Sequence, residues 1–213
     1  MRKVIFATPC YDGKVHVEFL QSLIHTIPLA LKHDIALHPV QICHDALIQR
    51  ARNDCVKMAL DTGCDDLIFM DSDQEWEPEW VIRLLEKNVD VVGCPVPKKS
   101  DTNIDFNVKR LPEGLQASDN GLIRVASVGT GFIRISRFAM EKVWEISPEY
   151  EGGNRMVFDV QLIDGQIISE DTVFCEKWRS LGGNVWIDPT MTCNHIGIKK
   201  YTNNFESFIK GMA

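Results

Sequence analysis

The sequence of 213 residues contains no apolar run near the ~20 residues that a membrane-spanning helix needs. A short apolar run, residues 4–7, follows the basic start of the chain but stops at Thr8 and Pro9, too early for a secretion signal. The seven cysteines are odd in number and include no C-x-x-C pair, so neither a disulfide framework nor a zinc cluster is expected. We therefore expect a cytoplasmic protein without membrane insertion.

Basic residues are also fewer than acidic ones. The chain has 23 Lys and Arg against 30 Asp and Glu, a net charge of −7. This composition excludes the basic surplus typical of general nucleic-acid binding. The 45% of apolar and 25% of charged residues are ordinary for a globular protein. Because the length suits one domain, we predict a single domain over 1–213, divided by a change of character into halves 1–99 and 100–213.

Strand and helix patterns alternate through the first half. This alternation predicts an α/β fold built on a mainly parallel sheet. Pro28 is expected to kink or end the first helix, and Thr8-Pro9 to end the first strand. The predicted strands are 4–7, 35–42, 67–70 and 89–94, and then 122–128, 132–135 and 185–187. The predicted helices are 16–31, 44–60 and 79–86, and then 138–146 and 171–181, with a loop over 147–157.

Two carboxylates, Asp71 and Asp73, follow the apolar strand 67–70. Ligands bind at the carboxyl ends of strands in open α/β sheets, and paired carboxylates suit a hard cation such as Mg²⁺ or Mn²⁺. A turn with a helix cap explains a D-x-D pattern equally well. Glu170-Asp171, at a helix start, and His195, after the last strand, also have structural interpretations. Together, however, Asp and His from distant segments would form an open metal site suited to Mn²⁺.

In order and spacing these motifs resemble the GT-A type of nucleotide-sugar glycosyltransferases, over roughly residues 4–201. They also resemble a chlorovirus glycosyltransferase domain that decorates the major capsid protein. The resemblance implies a Rossmann-like three-layer sandwich, with a mainly parallel mixed sheet between helices. Its first half would bind the nucleotide sugar and its second half the acceptor. It also implies a UDP-sugar donor, manganese or magnesium, a glycan or glycoprotein acceptor and retention of configuration, in the host cytoplasm if the protein is viral. Neither the sugar nor the oligomeric state follows from it.

The resemblance also assigns expected roles to residues. Asp73 and His195 would bind the metal, with Asp71 as a further ligand or a ribose contact, and Asp171, with Glu170 as second choice, would be the carboxylate at the reacting sugar. Arg50 and Arg52 lie ~200° apart on a helix, so only one can face the nucleotide. The remaining expected nucleotide and sugar contacts are Thr8, Pro9, Asp12, Asn53, Ser72, Lys98 (beside Lys99), Gly129, Thr130, Gly131, Phe132 and Lys199 (beside Lys200).

Three other functions fit parts of the same pattern. A haloacid-dehalogenase-like phosphotransferase also carries D-x-D after a strand, with the first Asp as nucleophile, but on its first strand rather than near residue 70. A sugar-nucleotide nucleotidyltransferase shares the fold and the metal chemistry, yet no Gly-rich phosphate loop follows the first strand. A non-catalytic sugar-binding module would not need the acids and His195 together.

Overall fold

The computed structural model describes residues 1–100, 102–197 and 199–211. The final two residues of the predicted domain therefore lie outside the described residues. None of the helices in the described part combines the length and apolar character needed to cross a bilayer. Its helices are α1 (Val17–Lys32), α2 (Ile48–Asp61), α3 (Pro78–Glu86), α4 (Arg137–Ile146), α5 (Glu170–Ser180) and α6 (Phe205–Lys210).

The strands of the described part are short after the first two. They are β1 (Arg2–Cys10), β2 (Ile35–Cys43), β3 (Asp66–Met70), β4 (Gln74–Trp76), β5 (Val91–Gly93), β6 (Val108–Lys109), β7 (Gln116–Ala117), β8 (Ile123–Val125), β9 (Ser127–Val128), β10 (Phe132–Ser136), β11 (Glu149–Tyr150), β12 (Asn154–Arg155), β13 (Gln161–Ile163), β14 (Gln166–Ile168), β15 (Val185–Ile187) and β16 (Cys193–His195).

One mixed sheet joins both halves of the chain. Its eight strands follow the order β2-β1-β3-β10-β5-β15-β8-β7. β1 is parallel to β2 and β3, and β15 is parallel to β5, whereas β10 runs antiparallel between β3 and β5. A second-half strand thus lies between two first-half strands. The carboxyl ends of β1, β3, β5 and β15 consequently share one edge, with the amino end of β10.

Alternation along the buried strands divides the core into two layers. In β1, Ile5 and Ala7 face one hydrophobic cluster, and Val4 and Phe6 face the other. The first cluster includes apolar residues of α2, α4 and α5, and the second includes those of α1 and α3. A sheet that is covered on both faces must bury consecutive residues, which explains the continuous apolar run of β3. The result is the predicted α/β three-layer sandwich.

Neither Pro9 nor Pro28 ends the element that contains it. β1 continues through Pro9 to Cys10, because beyond Ala7 it pairs with β2 alone and the missing N–H of proline removes no second ladder bond. α1 continues past Pro28 to Lys32, because the fully buried Ala30 anchors its last turn in the core. The prediction that Thr8-Pro9 ends the first strand was therefore wrong, and of the two effects predicted for Pro28, a kink or an end, the structure excludes the end.

Other boundaries also differ from the predictions. α2 begins at Ile48 rather than 44, because His44 has a φ of +63° and Asp45 accepts the Leu47 N–H in a turn. The predicted strand 122–128 is two strands, and the predicted loop 147–157 contains the β11–β12 hairpin. The β13–β14 hairpin was not predicted, since both its edges are exposed and no buried face gives it a period-2 pattern.

A buried ion pair inside the sheet provides a test of stability. The side chains of Asp66 and Arg134 are 1% and 2% exposed, and Oδ1 lies 3.6 Å from Nη1. We expect Asp66→Asn to lower the free energy of unfolding by about 3 kcal/mol, because the buried guanidinium loses its carboxylate. Urea denaturation measures this loss. The exposed Asp61→Asn serves as the control, with an effect of less than about 1 kcal/mol, and an equally small effect of Asp66→Asn would contradict the prediction.

Candidate active site

The candidate active site lies at the edge where the parallel strands end. Asp71 and Asp73 follow β3 there, and the backbone N–H of Asp71 donates to the carbonyl of Gly131 at 3.1 Å. β16 pairs antiparallel with β4, which places His195 opposite Gln74. Through this small two-stranded sheet, the chain that leaves β15 returns to the D-x-D segment. Open α/β sheets bind ligands at this edge.

Asp73, His195 and Lys99 form one contact group. The His195 Nε2 lies 3.3 Å from Asp73 Oδ2, and the Lys99 Nζ donates to the same oxygen at 2.6 Å. Burial raises the pKa of the Asp73 carboxyl, but hydrogen bonds from His195 and Lys99 outweigh burial and hold that pKa well below its usual range. Asp73 is therefore an anion at any physiological pH.

The donor chemistry of this group fits a hard or borderline divalent cation. The His195 Nδ1 lies 2.8 Å from the carbonyl of Pro97, which can only accept, so Nδ1 carries the proton. His195 Nε2 then faces Asp73 Oδ2, and the space between these two atoms takes either a proton, as in the hydrogen bond above, or a cation. A second ring nitrogen fixed by a carbonyl is the usual support of a metal-binding histidine.

The third expected ligand, Asp71, points elsewhere. Its Oδ1 accepts from Arg52 Nη2 at 3.2 Å. Within residues 1–100, 102–197 and 199–211, no three His, Cys, Asp or Glu side chains are arranged to hold a metal ion. The structure thus brings together Asp73 and His195 and directs Asp71 to an arginine.

Arg52 connects the two acidic segments. It is 5% exposed on α2, and its Nη1 donates to Glu170 Oε1 while Nη2 donates to Asp71. The D-x-D segment and the start of α5, about a hundred residues apart in the chain, are therefore joined by one guanidinium. A buried charge of this kind persists only when carboxylates compensate it. Its Nε has no hydrogen-bond partner among the described residues.

Asp171 lies beside this pair and faces a cavity. Its Oδ1 accepts from the Thr172 N–H at 2.6 Å and from the Ser169 hydroxyl, whereas no hydrogen bond among the described residues reaches Oδ2. A Cβ added to Gly129 would lie 3.5 Å from that free oxygen. The cavity, about 230 Å³, is lined by Asp171, Gly129, Lys98, Asn107, Lys109 and Thr172 among others.

Residues 129–132 contribute backbone rather than side chains. Gly131 leaves room for the D-x-D segment, because an added Cβ would come within 3.3 Å of Asp71 Oδ2. Thr130 is 3% exposed, and the fully buried ring of Phe132 lies 6.5 Å from that of Trp76 in the core. Phe132 therefore has no exposed surface to offer a sugar in this structure.

The segment after β1 places its expected nucleotide contacts at different depths. Thr8 is fully buried, and its hydroxyl has no hydrogen-bond partner among the described residues. Pro9 is buried within β1, and the exposed Asp12 accepts the Lys14 N–H in a turn. The Ser72 carbonyl accepts the His16 N–H at 3.0 Å, which attaches the D-x-D segment to the start of α1.

Four further expected contacts already have protein partners. Arg50 is exposed and binds Asp45 through two hydrogen bonds of 2.7 Å, and Lys98 binds Asp105 at 2.6 Å. Lys199 lies 5.4 Å from the Tyr201 ring. The buried Asn53 accepts the Phe158 N–H at 2.7 Å and donates to its carbonyl at 3.0 Å. Asn53 thus fastens the end of the 147–158 segment to α2.

Sequence reasoning grouped Lys99 with Lys98 as a phosphate contact and did not connect it with Asp73. Asn107 and Lys109, which line the cavity, were missed altogether. They lie in a polar, turn-rich segment with no periodic pattern, and only the pairing of β6 with β9 brings them beside Gly129. Of these three residues, only Lys99 could have been connected with the site from the sequence, because it follows β5 at the ligand-binding edge.

Comparison with known proteins supports the fold. Neither a protein-family model nor a curated protein matches this sequence. The crystal structure of A197 from STIV is similar over 97% of this chain and 91% of its own, with a TM-score of 0.60 at 18% identity. Weaker likenesses link the chain to a protein assigned as a nucleotide-diphospho-sugar transferase from Desulfovibrio desulfuricans (13% identity, 88% of this chain and 80% of that one, TM-score 0.46) and to a glycosyltransferase involved in glycosylation of the major capsid of PBCV-1 (12%, 68% and 67%, TM-score 0.38).

At these identities the likenesses concern the fold alone. The sheet topology and the similarity to A197 confirm the predicted α/β fold, a mixed sheet between layers of helices.

Proposed function

We propose that this protein is a metal-dependent glycosyltransferase that moves a sugar from a nucleotide-sugar donor, a UDP-sugar, to a glycan or glycoprotein acceptor, with retention of configuration. The observation that supports the proposal most directly is the convergence of Asp73 and His195, 3.3 Å apart although 122 positions separate them in the sequence. Arg52 adds a second link, from Asp71 to Glu170. Carboxylates of both acidic segments thus meet at one edge of the sheet.

Asp73 and His195 would hold Mn²⁺ or Mg²⁺. The bound cation supplies Lewis-acid stabilisation of the negative charge that develops on the leaving diphosphate. Lys99 Nζ now donates to the carboxylate oxygen that faces His195, so it would have to turn away from Asp73. A lysine released there carries its positive charge to the same edge of the sheet, where it would bind a donor phosphate. Asp71, held by Arg52, would accept from a ribose hydroxyl or hold a metal-bound water.

Asp171 is the better candidate for the carboxylate at the reacting sugar. Glu170 is engaged by Arg52, whereas Asp171 turns a free Oδ2 into the cavity beside Gly129. Typical ligand pockets measure ~300–1,000 Å³. At about 230 Å³ the cavity suits one sugar ring rather than a whole nucleotide sugar. In a retaining reaction, Asp171 would stabilise positive charge at the anomeric carbon. Lys109 and Asn107 would then position sugar hydroxyls.

A thermal-shift panel tests the donor class and the metal. We expect UDP to raise the melting temperature only when Mn²⁺ or Mg²⁺ is present, because ligand that binds the folded state stabilises it by mass action. At a hundredfold excess over its dissociation constant, UDP would add about 2.7 kcal/mol. GDP, CMP and Mn²⁺ alone are the controls. An equal shift by UDP in EDTA would contradict the dependence of UDP binding on a metal. In a separate assay, release of pyrophosphate from UTP and a sugar phosphate would indicate a nucleotidyltransferase.

A further inference from the structure

Two cysteines lie side by side at the edge of the sheet that holds the candidate active site. Cys10 is the last residue of β1 and Cys43 is the last residue of β2. The register of these parallel strands makes the two residues direct Cα partners. Both are free thiols, and neither has a part in the proposed transfer reaction.

Both side chains project from the same face of the sheet. Side chains alternate along a strand, and Val4 and Phe6 of β1 pack in the layer of α1 and α3, so Cys10 lies on that face too. In β2, Leu37 packs against the same layer, which places Cys43 there by the same alternation. Adjacent strands are about 4.8 Å apart, within the ~4.4–6.8 Å between the Cα atoms of a disulfide. Because β2 is the edge strand, its end is free to make the small approach that an S–S bond requires.

The two thiols differ in access and in reactivity. Cys43 is exposed, whereas the other cysteines of the chain are buried. Cys10 is 2% exposed, and burial, together with the neighbouring Cys43, raises the pKa of its thiol to about 11. The thiolate is the form that attacks a disulfide, so a dissolved oxidant reacts with Cys43 first. Cys10 is then the neighbouring thiol that completes the bond.

We propose that Cys10 and Cys43 form a reversible disulfide that locks this edge of the sheet under oxidising conditions. The Cys43 thiolate attacks glutathione disulfide, and one glutathione thiolate leaves. Cys10 then attacks the Sγ of Cys43 and expels the second glutathione thiolate. The protons of the two cysteine thiols pass to these thiolates, so two cysteines are oxidised while one glutathione disulfide is reduced to two glutathiones. The reaction is independent of the proposed transferase activity.

The bond would reinforce a contact that the two strand ends already share. The Cys10 carbonyl accepts the N–H of Gly13 at 3.0 Å and the N–H of His44 at 3.4 Å. Gly13 has a φ of +70°, and a Cβ added there would lie 2.9 Å from the His44 ring. The turn after β1 therefore lies against the segment after β2. A covalent bond at its base restricts residues 11–14, which include the expected nucleotide contact Asp12.

Mass spectrometry of the alkylated chain tests the disulfide. The reduced chain carries seven thiols, and incubation with glutathione disulfide is expected to leave two fewer for alkylation in urea, with no glutathione attached. A non-reducing tryptic digest should then contain peptide 4–14 joined to peptide 33–50. Cys43→Ser should keep all of its remaining thiols free. The control Cys64→Ser, at a cysteine that is 3% exposed, should still lose two.

Thermal unfolding and hydrogen exchange measure the lock. Oxidation should raise the melting temperature of the wild-type chain by about 5 °C, because a bond across 33 positions restricts the unfolded chain. It should also slow amide exchange over residues 11–14 about threefold or more. Cys43→Ser should show neither change. A wild-type chain that keeps every thiol free, or that retains glutathione on Cys43, overturns the proposal. A bridge that changes neither the melting temperature nor the exchange overturns the lock.

Discussion

Asp171→Asn is expected to lower kcat for sugar transfer by about 10²–10⁴-fold, the range that a positioned carboxyl group contributes. The substitution keeps an oxygen that accepts from the Thr172 N–H and the Ser169 hydroxyl, so the start of α5 stays in place. It removes the negative charge at the atom that faces the cavity. The measurement is the turnover of a UDP-sugar. A reduced turnover with unchanged UDP binding and unchanged melting temperature would locate the loss in the chemical step.

Asp164→Asn is the matched control for this experiment. Asp164 makes the turn of the neighbouring β13–β14 hairpin with a φ of +50°, a conformation that asparagine also accepts, and its side chain is exposed. We expect it to retain wild-type turnover. NMR of the anomeric proton in the wild-type product reads the stereochemistry in the same assay. Near-normal turnover of Asp171→Asn would remove Asp171 from the mechanism and leave Glu170 as the candidate.

Asp73→Asn is expected to abolish the metal-dependent part of UDP binding and to lower kcat by about 10²–10³-fold, comparable to the loss of one group that stabilises transition-state charge. The amide is a poor ligand for a divalent cation and cannot balance the positive charge of Lys99. UDP titrations with and without Mn²⁺, followed by calorimetry, measure the first effect. Asp61→Asn, at an exposed position of α2, is the control and should leave both quantities unchanged.

Lys99→Met separates the two possible sources of positive charge at Asp73. If the cation takes the place of the lysine on that carboxylate, Lys99→Met keeps its dependence on Mn²⁺ and loses only about tenfold in kcat, the size expected for one charged phosphate contact. If Lys99 itself balances the diphosphate, wild-type turnover survives EDTA and Lys99→Met loses it. This second result would overturn the metal in the proposed function without affecting the donor class.

The local sequence pattern was sufficient to predict the elements that are uniformly buried or have a clear helix start. β3 reads as a continuous apolar run because it is covered on both faces, and α3 begins at a proline that suits the first helical turn. Elements with mixed surroundings were poorly predicted. The strand pattern at 122–128 divides between two sheets, and α2 starts late because His44 takes a left-handed conformation. Such choices depend on neighbours distant in the sequence.

The candidate active site, too, could be predicted from the sequence only in part. Sequence order indicated which acids lie at the strand ends, because parallel strands expose their carboxyl ends on one edge. It could not show that Asp71 turns to Arg52, that Lys99 binds Asp73, or that Phe132 packs in the core. Each of these depends on side-chain direction and on charge pairing across segments.

By itself, then, the sequence determined an α/β chain with acidic groups at the end of its third strand, since apolar periodicity and strand order are local properties. Only the tertiary structure decided the partners of those groups. β10 enters between β3 and β5, and β16 returns beside β4, so that Gly131 and His195 meet the D-x-D segment. Contacts between residues a hundred positions apart depend on the packing of the whole sheet, and that packing leaves no periodic signal in the chain.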